Sequence, residues 1–77
     1  MYTASQIQDR LVTTLVRSSG GSPRRWRIAL GPVQLRDPAK HPHCNWTVVP
    51  TGTAREVAEI EKLLDRFRLA HPRASPD

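Results

Sequence analysis

The chain has 77 residues, 38% of them hydrophobic, which is the size of one small domain. Twelve Lys and Arg against seven Asp and Glu give a formal net charge of +5. The single cysteine excludes an intrachain disulfide, and no apolar stretch approaches the roughly 20 residues that span a bilayer. We therefore expect a cytoplasmic protein, outside the membrane, with one α+β domain over 1–72 and a disordered C-terminal tail over 73–77.

A first helix is predicted from about Ala4 to Ser18. Thr3 can cap its start, with Gln6 at the capping-box position three residues later. Gly20 follows the last turn, where glycine commonly ends a helix. Apolar residues recur at every fourth position and form the stripe that would face the core: Ile7, Leu11 and Leu15.

Residues 24–30 carry conflicting signals. Ser22 and Pro23 before them are typical of a helix start, and Gly31 after them is typical of a helix end. The apolar residues, in contrast, alternate with the strand period of two: Trp26, Ile28 and Leu30. We favour an edge strand here, with a bulge at 31–32, and keep a short helix as the alternative.

A loop with two prolines follows over 37–43, and a second strand is predicted over 44–49. One face of that strand is apolar, with Cys44, Trp46 and Val48. A final helix begins with the capping box of Thr53 and Glu56 and ends near Ala70.

The predicted order is helix, strand, strand, helix, with an antiparallel β-hairpin and both helices packed on one face of it. All four elements contribute to the predicted core: Ile7, Leu11, Leu15, Trp26, Ile28, Leu30, Trp46, Val48, Val57, Ile60, Leu64 and Phe67. A two-stranded sheet leaves two open edges, and a homodimer closes such edges by pairing strands. We therefore name a homodimer through strand edges as a candidate assembly.

The positive charge is confined to one half of the sequence. Residues 1–40 hold seven of the twelve cations and two of the seven carboxylates, whereas residues 41–77 are neutral overall. A one-sided positive field attracts polyanions such as nucleic acid. The candidate nucleic-acid-binding residues are Arg17, Arg24, Arg25, Arg27, Arg36 and Lys40. An edge strand kept soluble by arginines explains the same pattern without a binding role.

A second anion site is predicted where the last helix begins. Free N–H groups at a helix N-terminus bind anions. The candidate residues are Thr51, Gly52, Thr53 and Arg55. An ordinary capped turn explains these residues more simply, without a ligand.

His41, His43 and Cys44 are residue types that bind zinc, but their spacing matches no common zinc site. In the predicted strand Cys44 faces the core as a small hydrophobe, and His43 points to the opposite side. We therefore predict no metal, no cofactor and no catalytic site. A zinc-binding protein or thiol enzyme comes last among the alternatives.

The sequence favours a small basic, non-enzymatic protein that binds nucleic acid through its arginine-rich N-terminal half. The alternative is a protein-interaction or accessory domain, in which the arginines meet an acidic protein surface or keep the protein in solution. Arginine outnumbers lysine ten to two, which fits GC-rich bacterial coding as well as selection for planar anion contacts.

Overall fold

A computed structural model describes residues 1–77 and contains three helices and four strands of two residues each. The helices are α1 (Ala4–Ser19), α2 (Pro23–Leu30) and α3 (Ala54–Ala70). The strands are β1 (Tyr2–Thr3), β2 (Gln34–Leu35), β3 (Trp46–Thr47) and β4 (Ala74–Ser75). β1 pairs with β4 in parallel, and β2 pairs with β3 in antiparallel orientation. The protein is a small α+β domain in which the helices form most of the structure.

The capping boxes predicted at the starts of two helices are both confirmed. Thr3 Oγ1 accepts a hydrogen bond from the Gln6 N–H at 3.2 Å, and Gln6 Oε1 accepts one from the Thr3 N–H at 2.9 Å. Thr53 and Glu56 form the same reciprocal pair at the start of α3. Both helices therefore begin where the local sequence predicts, and α3 ends at Ala70 as expected.

The strand predicted over 24–30 is wrong, because these residues belong to α2. Ser22 Oγ accepts a hydrogen bond from the Arg25 N–H at 3.1 Å, and Gly31 ends the helix with a φ of +73°. Trp26 and Leu30 are four residues apart, a spacing that places both on one face of a helix and also on one face of a strand. The burial of Ile28, midway between them, distinguishes the two structures. Ile28 is 57% exposed, as the helical period requires. The cap residues at the two ends of the segment outweigh the apparent alternation.

The predicted bulge at 31–32 is also absent, since Gly31 closes α2 instead. An antiparallel pair does form, but between β2 and β3, with Gln34 opposite Thr47 and Leu35 opposite Trp46. The predicted hairpin is therefore shorter than expected and begins later in the chain. Three helices form, rather than two. They pack chiefly on one another, with α1 also against β1 and β4, and not as two helices on one face of the hairpin.

Residues 73–77, for which we expected disorder, lie against the body of the protein. The Asn45 side chain binds the Ala74 backbone twice, donating to its carbonyl at 2.9 Å and accepting from its N–H at 2.8 Å. The Asp77 carboxylate accepts hydrogen bonds from the hydroxyl and the N–H of Ser5 at 2.6 and 3.1 Å. These bonds lower the pKa of Asp77. The sequence suggested disorder because the residues that bind 73–77, Ser5 and Asn45, are distant from it in the chain.

One hydrophobic core joins the three helices to both strand pairs, and it contains no buried polar or charged residue. Its thirteen members are Ile7, Leu11, Val12, Leu15, Trp26, Ala29, Leu30, Trp46, Val48, Ile60, Leu63, Leu64 and Ala74. Of the predicted core, Ile28 is exposed, while Val57 and Phe67 are partly buried. None of the three helices combines the length and hydrophobicity that crossing a membrane requires.

Both tryptophans are buried, and each indole N–H has a backbone acceptor. Trp26 Nε1 donates to the Gly20 carbonyl at 2.7 Å, and Trp46 Nε1 donates to the His71 carbonyl at 2.8 Å. These bonds offset the cost of burying the indole N–H groups. The Phe67 ring meets Trp46 edge-on with centroids 6.0 Å apart. The end of α3 and the residue after it are thereby fixed against β3.

Candidate functional site

The six predicted nucleic-acid-binding residues lie in three parts of the fold. Arg17, Arg24 and Arg27 lie on α1 and α2, and all three are exposed. Arg25, also on α2, points to α3. Arg36 and Lys40 lie in the connection between β2 and β3, also exposed. Among the six, Arg17 and Arg27 lie together, lining one groove between α1 and α2.

Arg25 is neutralised by a carboxylate from α3. Its Nε donates to Glu56 Oε2 at 2.9 Å and its Nη2 donates to Glu56 Oε1 at 2.7 Å, which is the two-bond geometry that suits arginine and carboxylate. The bond to Arg25 lowers the pKa of Glu56 to about 2, and the same bond raises the pKa of Arg25. This arginine is therefore a link between α2 and α3 and adds little to the external positive field.

The anion site predicted at the start of α3 holds the protein's own carboxylate. The residues predicted for it were Thr51, Gly52, Thr53 and Arg55. Glu56 Oε1 accepts the N–H of Thr53 at 2.8 Å, and the N–H of Thr51 donates to the Ala29 carbonyl at 2.9 Å. Gly52 is present because a side chain there would collide with Glu56 and Ala29. Arg55 is exposed and forms no ion pair. The simpler interpretation, a capped turn, describes this region.

A groove of about 480 Å³ runs between α1 and the C-terminal end of α3, and we call it the α1–α3 groove. Arg10 and Arg17 line it and are two helical turns apart on the same face of α1, about 10 Å along the axis. Neither arginine forms an ion pair. Two unneutralised cations therefore lie side by side along one groove.

Four side chains of the α1–α3 groove form a series of contacts, with neighbouring ring planes tilted by 44° and 39°, that we call the ring ladder. The Arg10 guanidinium carbon lies 4.4 Å from the centroid of the Tyr2 ring. The Tyr2 and His71 ring centroids are 5.0 Å apart, and those of His71 and Phe67 are 4.7 Å apart. The ladder thus begins at an exposed guanidinium and ends on the partly buried Phe67 against the core. Such contacts between a cation and an aromatic face are attractive and hold the arginine in one orientation.

A second groove, of about 440 Å³, lies between α1 and α2, and we call it the α1–α2 groove. Arg17 and Arg27 line it together with Asp9. Arg27 Nη1 lies 3.0 Å from Asp9 Oδ1 and 3.2 Å from the side-chain oxygen of Gln8. Both partners of the Arg27 pair are exposed, so water weakens their mutual neutralisation.

The two grooves meet on α1, where Arg17 and Asp9 line both of them. We define the α1 basic surface as Arg10, Arg17 and Arg27 with Asp9. It holds three cations and one carboxylate. Sequence reasoning selected Arg17 and Arg27 but missed Arg10, together with Tyr2 and His71 on its groove. The seven-residue spacing of Arg10 and Arg17, which places both on one helical face, was the signal that could have found this site.

The cysteine is a structural residue of the β3 region. Cys44 is partly buried, and its Sγ donates to the Trp46 carbonyl at 3.3 Å. His41 is partly buried and His43 is exposed, both in the connection that precedes β3. No group of three or more His, Cys, Asp or Glu residues is arranged to hold a metal ion.

Comparison with protein-family models, with curated proteins and with solved structures gives no match to this chain. The chemistry of its own residues is therefore the basis for assigning a function.

Proposed function

We propose that this protein is a non-enzymatic nucleic-acid-binding module that holds the sugar-phosphate backbone on the α1 basic surface. The observation that carries the proposal is the pair Arg10 and Arg17. Both are exposed, free of carboxylate partners and aligned along one groove, and Arg17 also lines the adjoining α1–α2 groove. Arg27 extends the surface to α2.

The spacing of these arginines suits a polyanion. Successive phosphates of one DNA strand advance by about 3.4 Å along the helix axis, so the 10 Å between Arg10 and Arg17 spans about three phosphates. Each phosphate contact releases a condensed counterion, which makes the affinity depend on salt. Arginine suits this role because its planar guanidinium binds phosphate with two parallel hydrogen bonds.

The proposed residues differ from those that the sequence favoured. Arg25 is excluded because Glu56 binds it through both carboxylate oxygens. Arg36 and Lys40 are excluded because they lie in the connection between β2 and β3 and line neither groove of α1. Arg24 is exposed on α2 but lines neither groove of α1, and it is left out as well. Arg10 is added, so that the proposed contact surface consists of Arg10, Arg17 and Arg27.

The test is the salt dependence of binding to a labelled DNA duplex, followed by fluorescence anisotropy between about 50 and 200 mM salt. We expect Arg17→Gln to reduce the slope of log K against log salt by about 0.9, the value for one phosphate contact on B-DNA. The matched control is Arg66→Gln, which removes an exposed cation from α3 and should change the slope little. Absence of wild-type binding at the lowest salt, or equal effects of both substitutions, contradicts the proposal.

The second candidate is a protein-interaction domain, and exposed apolar side chains favour it. Ile28 and Val49 are 57% and 59% exposed, and Leu69 is 86% exposed. In this case the arginines contact an acidic protein surface, and a homodimer through strand edges stays among the candidate assemblies. Polyglutamate serves as the competitor: tighter binding of polyglutamate than of DNA at equal charge and salt supports this alternative.

A further inference from the structure

We infer that the α1–α3 groove binds an unpaired nucleobase, stacked on the outer face of the Arg10 guanidinium. The inference rests on the proposed function and specifies its substrate class as single-stranded nucleic acid. It comes from the ring ladder, a feature that phosphate binding alone does not require.

The ring ladder ends in an exposed planar group, the Arg10 guanidinium, which has no ion-pair partner. The Arg10 guanidinium carbon lies over the Tyr2 ring, 4.4 Å from its centroid. Behind it, the Tyr2, His71 and Phe67 rings contact one another in turn, with their planes tilted by 44° and 39°. The contact with Tyr2 favours one position of the guanidinium, which lowers the cost of ordering this side chain when a base adds to it.

A single-stranded segment fits this surface better than a duplex does. Bases of a duplex are already stacked on one another and offer only their edges and the backbone to a protein. Unpaired bases expose their faces and stack on aromatic rings or on arginine planes. The groove volume of about 480 Å³ leaves space for a base beside the backbone that Arg17 contacts.

The groove also supplies hydrogen-bonding groups beside the ladder. Gln6 and Thr13 line the groove. The Gln6 side-chain oxygen accepts the Thr3 N–H, which leaves its amide N–H₂ as a donor. These groups can meet the edge of a base stacked on Arg10, while Arg17 contacts the neighbouring phosphate. Stacking is tolerant of base identity, so we expect weak sequence preference.

Arg10→Lys tests the inference because it keeps the positive charge and removes the planar surface. The probes are a labelled oligothymidylate and a DNA duplex of the same length, titrated at one salt concentration. We expect the affinity for oligothymidylate to fall five-fold or more, since stacking one base contributes about 1–3 kcal/mol. The affinity for the duplex should change less than two-fold. Equal behaviour of the variant and the wild type on both probes overturns the inference and leaves the proposed function intact.

A second measurement separates a direct stacking role from a loss of folding. Tyr2→Leu removes the ring that orients Arg10, and Tyr2→Phe keeps it. We expect Tyr2→Leu to lose the preference for oligothymidylate and Tyr2→Phe to retain it. In NMR spectra of the wild type, the ring current of a base stacked on Arg10 should shift its Nε–H resonance upfield in the oligothymidylate complex. The duplex, which contacts Arg10 through phosphate, should not shift it upfield. An unshifted resonance at saturating oligothymidylate overturns the inference. A wild-type protein that binds neither oligothymidylate nor the duplex contradicts the proposed function itself.

Discussion

Gly52 allows the segment before α3 to lie against α2, and its replacement by alanine tests that packing. A Cβ atom on residue 52 would lie 2.9 Å from the Ala29 Cβ and 2.7 Å from Glu56 Oε1. Ordinary carbon–carbon contacts lie at about 3.5–4.0 Å, so the Ala29 contact is short by more than half an ångström. The Glu56 carboxylate can rotate only by giving up its bonds to Arg25 and to the Thr53 N–H. Ala29 is buried in α2 and can move only with that helix.

The expected effect of Gly52→Ala is a net loss of stability of about 1–2 kcal/mol. Overpacking of a well-packed site costs about 1–3 kcal/mol. Alanine also restricts the unfolded chain, which returns about 0.4–1 kcal/mol. Gly52 is not among the positive-φ glycines, so backbone strain adds nothing to this difference. In a chain of this length the loss corresponds to a decrease in Tm of roughly 4–16 °C.

Thermal and urea unfolding followed by circular dichroism measure this loss. The matched control is the double variant Gly52→Ala with Ala29→Gly, which removes the opposing Cβ. We expect the double variant to lose less stability than the sum of the two single variants, because residues in contact are coupled. Strict additivity, or a Gly52→Ala variant as stable as the wild type, would show that the segment does not lie against α2 as described.

Three further predictions concern contacts that the fold brings together. The pKa of Glu56 is lowered from 4.5 to about 2 in the folded protein. The ionised carboxylate therefore contributes to stability above pH 4.5, and this contribution is lost as the pH falls toward 2. The free energy of unfolding, measured as a function of pH, should show this loss in the wild type and a smaller loss in Glu56→Gln. Asn45→Ala removes both bonds to the Ala74 backbone and should cost about 1–3 kcal/mol, with faster hydrogen exchange at the Ala74 amide; unchanged exchange there contradicts the docking of 73–77. Ile28→Ser should change the free energy of unfolding by about 0.5 kcal/mol or less because Ile28 is exposed, whereas Trp26→Ser should cost about 3 kcal/mol or more; equal losses would favour a strand over 24–30.

Features that depend on neighbouring residues in the chain were predictable from the sequence. The capping boxes at Thr3 and Thr53 satisfy helix N–H groups within one turn, so the residue types alone indicate them. The apolar stripe of α1 and the end of α3 follow in the same way. Residues 24–30 show the limit of such reasoning, because their local cap signals and their apparent period disagreed. The cap residues correctly indicated a helix, whereas the apparent strand period depended on Ile28 alone.

Features that depend on distant pairs were not predictable. Nothing in the composition of 73–77 indicates that Asn45 binds Ala74 or that Asp77 binds Ser5, because these pairs are 29 and 72 residues apart in the chain. The same holds for the candidate site. The charge pattern located the surplus cations in residues 1–40, but only the tertiary structure shows which of them have carboxylate partners, namely Arg25 and Arg27. Arg25 has a carboxylate partner from α3, whereas Arg10 has an aromatic one.

The central claim is that Arg10, Arg17 and Arg27 act as one nucleic-acid contact surface. The most direct test compares two triple variants of equal charge. The first replaces Arg10, Arg17 and Arg27 by Gln, and the second replaces Arg36, Arg55 and Arg66 by Gln. Each lowers the formal net charge of +5 by three. We predict that the first reduces the slope of log K against log salt on duplex DNA by about 2.7, as expected for three phosphate contacts, and that the second retains most of the wild-type slope. Equal slopes in the two variants would mean that only the total charge matters, and would contradict a defined surface around α1.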